Sequence, residues 1–332
     1  MNKLIVVIPA LNEQNLIKET LTSLNNQTNT SFSVIVVDNG STDQTVGVAT
    51  EFSKSSKYQL QIVSEPKLGV GYARNTGSLK AMELGAVYIA STDADTTFPT
   101  NWIESIYKGF KNQNTVLVCG ESDPTKRLSF SNKKMEFVTN ARSVLFHKVK
   151  PYFRGVNYAV TSEMLNKIGG IKQPLTLEGK PAPGEDGRLE LDVLAKGEVP
   201  HGCLATVFPH PRRYISTAIQ IQGHLGSIHK DGVVTQVRNE KELELNLASI
   251  PQKDVESLAN KMLEYLFIEH IVHIYKDPLY RKTYWINASK MLKPFVSTEI
   301  EKDVIRLKNT ELWKKYKEAF TLNLKKYMVT EV

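Results

Sequence analysis

Short runs of strand-forming residues separated by helical segments constrain the first part of this chain more than any other feature. Leu4-Ile5-Val6-Val7-Ile8 is uninterrupted, largely β-branched and stopped by Pro9, as a strand buried on both faces should be. Val34-Ile35-Val36-Val37, Leu60-Gln61-Ile62-Val63 and Ala86 to Ala90 repeat the pattern. Between them, Glu13 to Asn25 places Leu16, Ile17, Thr20, Leu21 and Leu24 at helical spacing. Ser41-Thr42-Asp43 can cap a helix through Thr45 to Lys54, and Gly71 to Leu84 reads as a third helix. Strands alternating with helices predict an α/β fold with a mostly parallel sheet flanked by helices.

Ligands of such sheets bind beyond the carboxyl ends of the strands. Here those ends carry PALNE, DNGSTD and STDAD. Asp38 closes a strand and is followed by Asn39-Gly40, which supports a tight turn. Its carboxylate can accept a hydrogen bond from a base N–H, or it can serve the turn alone. Gly69-Val70-Gly71-Tyr72-Ala73-Arg74-Asn75 combines glycines, a helix start and an arginine, a setting that suits phosphate. Asp93 and Asp95 flank Ala94 at the end of a buried strand. Like charges this close need something positive nearby. A hard divalent cation shared with substrate phosphates would supply it, and Mg²⁺ or Mn²⁺ is expected.

Length, charge and cysteine content narrow the classes. A chain of 332 residues holds one large domain or two. The formal net charge of +7 suits a mildly basic enzyme that handles anions. Zinc-finger spacing and an aromatic RNA-binding signature are absent, so nucleic acid is not an expected partner. Cys119 and Cys203 make no disulfide framework or metal cluster and are read as unpaired thiols. No stretch approaches the ~18 uncharged apolar residues of a membrane span, and the N-terminus does not read as a signal peptide. A cytoplasmic location is expected, with the inner membrane face as a variant of it.

IVVIPALNE, VIVVDNGSTDQT, GVGYARNTG and STDAD, in this order and spacing, resemble the nucleotide-sugar-binding half of family 2 glycosyltransferases. The resemblance implies a GT-A, Rossmann-like fold and an inverting transfer from a nucleoside-diphosphate sugar, most often UDP-linked, to a saccharide or lipid-linked acceptor. It implies that Pro9, Ala10 and Glu13 line the nucleoside pocket with Asp38, Asn39 and Gly40. Arg74 would lie near ribose and phosphate, and Asp93, Ala94 and Asp95 would hold the metal–diphosphate. Downstream, Arg154-Gly155-Val156-Asn157 is similar to the family's acceptor-side G-x-N segment, which implicates Gly155 and Asn157. Pro183-Gly184-Glu185-Asp186 is similar to its E-D motif, in which the aspartate is the base. That makes Asp186, with Glu185, the catalytic expectation; the local alternative is a helix cap, since Arg188 to Ala195 reads as a short helix. Arg212 and Arg213 suit a diphosphate, and His210 is a third candidate metal ligand. The Q-x-x-R-W form of the family's processive synthases is absent.

The expected organisation is a GT-A domain over 1–215, divided at 115 into donor and acceptor parts, and a helical region over 216–332. An apolar stripe at 255–275 reads as core or as a homodimer face. Lys314, Lys315, Lys317, Lys325 and Lys326 read as a solvated face, or as a peripheral contact with anionic lipid. Two rival classes are a catalytically silent nucleotide-sugar-binding module and a basic nucleic-acid-binding protein. A nucleotidyltransferase is a further option, but its glycine-rich, lysine-containing loop is missing after the first strand.

Overall fold

The computed structural model describes residues 3–112, 114–127, 153–212 and 318. The chain forms two compact units, Met1–Pro124 with Pro151–His210, and Thr125–Lys150 with Pro211–Val332. The first unit is discontinuous: the chain leaves it after Pro124 and re-enters at Pro151. The expected C-terminal helices, their apolar stripe and the lysine-rich tail lie outside the described residues, Glu318 apart. Among the described residues no helix is long and apolar enough to cross a membrane.

The first unit opens with β1 (Leu4–Ala10), α1 (Ile17–Asn25), β2 (Phe32–Asp38), α2 (Thr45–Ser53), β3 (Gln59–Ser64), α3 (Val70–Glu83) and β4 (Tyr88–Ser91). It continues with β5 (Thr96–Thr97), α4 (Trp102–Gly109), β6 (Leu117–Ser122), β7 (Tyr158–Thr161), α5 (Ser162–Ile168), α6 (Glu185–Leu194) and β8 (His201–Pro209). A 3₁₀ turn, Pro124–Arg127, follows β6. The sheet order is β3-β2-β1-β4-β7-β6-β8-β5. β3, β2, β1 and β4 run parallel, as their helical crossovers require. β7 then inserts antiparallel between β4 and β6, so the sheet is mixed beyond its N-terminal half. This is the expected α/β, GT-A-like architecture with flanking helices.

Both faces of β1 are buried, which explains its unbroken apolar run. Leu4, Val6 and Ile8 pack with α1 and α4, through Leu21, Trp102 and Ile106 among others. Ile5 and Val7 pack on the other face with α3, α5 and α6, through Ala73, Leu165 and Leu189. β3, at the sheet edge, keeps an alternating exposed pattern instead.

Two local expectations shift. β1 continues through Pro9 to Ala10, where Ala10 pairs with Asp38. The proline is tolerated because pairing with β4 stops at Val7–Ser91, two residues earlier, so Pro9 removes no ladder bond on that side. The first helix starts at Ile17 rather than Glu13, since residues 13–16 form a turn in which the Glu13 carbonyl accepts from the Leu16 and Ile17 N–H groups.

α3 lies close on the sheet because Gly77 carries no side chain. A Cβ there would stand 2.4 Å from Val7 Cγ1 and 2.8 Å from Val37 Cγ2. Gly77→Ala gains about 1 kcal/mol of helix propensity, whereas overpacking a fixed core costs about 1–3 kcal/mol. Both valines are buried in the sheet centre and have no room to retreat. The expected net result is destabilisation of up to about 2 kcal/mol, read as a lower urea midpoint with an unchanged slope.

Candidate active site

The loops after β1 and β2 are tied to each other by their own side chains. Asn12, at φ +54°, donates its N–H to Ser41 Oγ (3.0 Å), and its Oδ1 accepts from the Thr42 N–H (2.8 Å). The Gln14 N–H reaches Asp43 Oδ2 (3.2 Å), Gln14 Oε1 accepts from the Gln44 N–H (2.9 Å), and the Glu13 N–H donates to Thr45 Oγ1 (2.7 Å). Asp38 stands at the head of this assembly, half-buried, its Oδ1 accepting from the Ser41 N–H (3.1 Å). Asn39 is buried, and its whole amide is spent on the next loop. Nδ2 donates to the carbonyls of Glu65 (2.9 Å) and Lys67 (2.8 Å), while Oδ1 accepts from the Gly69 N–H (2.8 Å). Gly40 turns the chain at φ +85°.

Beyond β4, Asp95 is buried and its carbonyl accepts from the His210 N–H (2.9 Å). That bond extends the β5–β8 pairing of Thr96 with Pro209 and sets His210 beside Asp95. The Ala94 carbonyl accepts from Thr20 Oγ1 (2.8 Å), which holds the loop against α1. Asp93 has its positive partner inside the chain: Arg74 Nη2 donates to its Oδ1 at 2.6 Å.

Arg74, expected near ribose and phosphate, is only 3% exposed. Its Nη1 donates to Ser91 Oγ (3.1 Å) and to the Gly155 carbonyl, and its Nε lies 3.5 Å from Glu185 Oε1. Burial works against its charge, but the facing Asp93, Tyr158, Glu185 and Asp186 outweigh that and hold the guanidinium firmly protonated. For Glu185, burial dominates and raises the carboxyl above its ordinary range; Arg74 pulls it back, and Asp186 pushes it up.

α6 begins three residues earlier than its apolar pattern suggested, so Glu185 and Asp186 sit in its first turn, after Gly184 at φ +106°. Negative charge suits that end of a helix. Glu185 turns inward to Arg74. Asp186 stays partly exposed, its Oδ2 accepting from the Gly155 N–H (2.9 Å) and its Oδ1 from the Gly187 N–H (2.8 Å). Glu185 thus faces the buried guanidinium, while the Asp186 carboxylate is held by two backbone N–H groups.

Asn157, expected to meet the acceptor, is fully buried. Its Oδ1 accepts from Trp102 Nε1 (2.9 Å), and its Nδ2 donates to the carbonyls of Glu121 (2.9 Å) and Ala205 (3.0 Å). Both amide donors are used within the protein, so the side chain joins α4, β6 and β8 and keeps none for an acceptor. Arg212 is buried and belongs to the second unit, and Arg213 lies outside the described residues.

The donor set suits a hard divalent cation. Asp95 supplies a buried carboxylate oxygen, and His210 is its neighbour by backbone pairing. Among the described residues no three or more His, Cys, Asp or Glu side chains are grouped so that they could hold a metal ion. A cation held by one or two protein groups and completed by substrate phosphates needs no more than that.

A family model described as Glycosyl transferase family 2 matches residues 5–170. The glycosyltransferase AglE of Haloferax volcanii is 27% identical over 185 residues, 52% of this chain and 57% of that one. The glycosyltransferase GlyA of Streptococcus pneumoniae is 28% identical over 107 residues, 32% of this chain and 15% of that one. The chain thus spans less than two thirds of the length of these relatives. Among solved structures, the mannosyltransferase PcManGT from Pyrobaculum calidifontis, in complex with GDP-Man and Mn2+, is similar in fold. Its TM-score is 0.50 at 18% identity, covering 94% of this chain and 87% of that one.

Two consequences of the buried charges can be measured. Arg74→Met leaves two carboxylates facing each other without their cation, and breaking a buried pair in this way costs about 3–5 kcal/mol; urea unfolding reads it directly. Glu185 has a folded pKa above its ordinary 4.5, so the stability it contributes is fullest below that value and falls as pH rises through the folded value. Glu185→Gln is expected to remove that slope. Identical pH–stability curves for the two proteins would show that Glu185 does not titrate abnormally.

Proposed function

This chain belongs to glycosyl transferase family 2, and on that footing we propose that it transfers a sugar from a nucleoside-diphosphate donor to an acceptor hydroxyl, with inversion, using Asp186 as the base. The observation that carries the reading is the convergence of separate segments on one guanidinium. Asp93 after β4, Gly155 before β7 and the Glu185-Asp186 pair at the start of α6 all meet at Arg74. A candidate donor loop and a candidate base thus share one place beyond the strand ends.

The roles follow from the chemistry of each group. Asp38, at the end of β2 beside Ala10, offers a carboxylate to a nucleobase N–H. Asp95, with His210 next to it, would hold a divalent cation, which supplies charge neutralisation for the departing diphosphate when bound. Asp186 takes the proton of the acceptor hydroxyl as its oxygen forms the new bond to the anomeric carbon. The bond from that carbon to the diphosphate oxygen breaks, and its electron pair leaves with the nucleotide. A single displacement of this kind inverts the centre. Two backbone N–H groups orient the Asp186 carboxylate. Uridine and guanosine donors are separated by screening both for thermal stabilisation. The relative AglE, a glycosyltransferase, supports sugar transfer, and the GDP-Man bound to PcManGT supports a sugar-nucleotide donor without choosing a base.

Asp186→Asn is expected to lose transfer by about 10²-fold or more while retaining nucleotide binding; near-normal turnover would remove Asp186 from the role. For Asp95, UDP or GDP should tighten Mn²⁺ binding, and Mn²⁺ should tighten the nucleotide by the same factor, because linkage is reciprocal. Asp95→Ala should abolish that coupling in calorimetry while leaving the fold intact. Full activity in excess chelator would argue against a metal at Asp95.

A further inference from the structure

We propose that Arg74 is a positioning residue that couples the donor side of the site to the base: by gripping Asp93, Gly155 and Glu185 together, it holds Asp186 in place through the Gly155 peptide. This rests on the reading of Asp186 as the base. The guanidinium presents five N–H donors in a rigid plane, and each of its nitrogens already faces a protein group. Nη2 meets Asp93 and Nη1 meets Ser91 and the Gly155 carbonyl, while Nε lies 3.5 Å from Glu185 Oε1 as an ion pair without a hydrogen bond. Reaching a donor phosphate would mean abandoning those partners from a position that is almost fully buried. Arg74 therefore acts through its neighbours.

The Gly155 peptide is the relay. Its carbonyl accepts from Arg74, and its N–H donates to Asp186 Oδ2 at 2.9 Å. A Cβ on residue 155 would stand 2.8 Å from Nη1 and 2.9 Å from Nη2, so only glycine lets the guanidinium approach this closely. Drawing Glu185 inward fixes the rotation of α6. The next residue on a helix points about 100° away, which leaves Asp186 directed outward. Two more bonds tie α3 to the same side of the site. Asn75 Oδ1 accepts from the Ile171 N–H (2.9 Å), and Gln173 Oε1 accepts from the Gly71 N–H (2.8 Å). The start of α3 is thus the hub between the loop that carries Asp93 and Asp95 and the turn that carries Asp186.

The test uses the full chain, UDP with Mn²⁺ as the probe, and amide hydrogen exchange at Gly155 and the first turn of α6. In the parent protein, UDP–Mn²⁺ should slow exchange at Gly155 by about threefold or more, since binding at one end of a coupled pair stabilises the other. Arg74→Lys keeps the charge and loses the fork; Gly155→Ala keeps Arg74 and displaces it. Each should expose the Gly155 amide and cancel the effect of UDP–Mn²⁺ there. Protection in β1 and β2 should persist, and UDP affinity should stay within about threefold of the parent. If Arg74→Lys fails to fold, Gly155→Ala carries the test alone. Loss of UDP binding by more than about tenfold, with Gly155 exchange unchanged, would make Arg74 a donor contact and overturn the proposal. If the parent protein binds no UDP–Mn²⁺, that donor falls while the tie stays testable. Faster Gly155 exchange in unliganded Arg74→Lys then supports it, and equal rates overturn it.

Discussion

Burying the Arg74 guanidinium costs several kcal/mol of hydration, and the site exists in its present form because three distant segments offset that cost together. Asp93 supplies the closest charge, Glu185 a second, and Ser91 with the Gly155 carbonyl takes up Nη1. Removing any one partner leaves the others around an under-satisfied cation. The arrangement is accordingly cooperative, and it ties these loops together in addition to the sheet and the Gly155–Asp186 bond. The two aspartates after β4 have different neighbours as a result. Asp93 faces inward to the arginine, and Asp95 lies beside His210 on the other side of the turn.

The sheet makes this convergence possible. Four parallel strands place the loops after β1, β2 and β4 on one edge. β7 then enters antiparallel beside β4, which delivers Gly155 to the same edge from the opposite chain direction. The buried Asn157 amide keeps that entry in register, because it joins Trp102, Glu121 and Ala205 through three bonds. A motif that reads like substrate contact thus contributes by supporting the backbone two residues away.

The parallel half of the fold was legible in the sequence, since each of its elements has a local signature. β-branched runs mark β1 and β2, helical spacing marks α1 and α3, and polar clusters mark the strand ends. The loops carrying Asp38, Asp93 and Asp95 were legible for the same reason. Other features depend on pairing between remote residues. Nothing within 70–84 shows that Arg74 meets Gly155 and Glu185, because that contact follows from where β7 and α6 land. β7 and β5 are short, and β8 is half exposed, so no period distinguishes them. The discontinuity of the first unit has no local signature, because leaving at Pro124 and returning at Pro151 is a fact of topology.

The cross-tied loops after β1 and β2 have a consequence for redesign. Each loop supplies acceptors for the backbone N–H groups of the other: Ser41 and Asp43 serve Asn12 and Gln14, while Asn12 and Gln14 serve Thr42 and Gln44. Neither loop is a self-sufficient module. Transplanting one alone from a homologue would strand polar groups of its partner, so the two loops can be exchanged only as a matched pair.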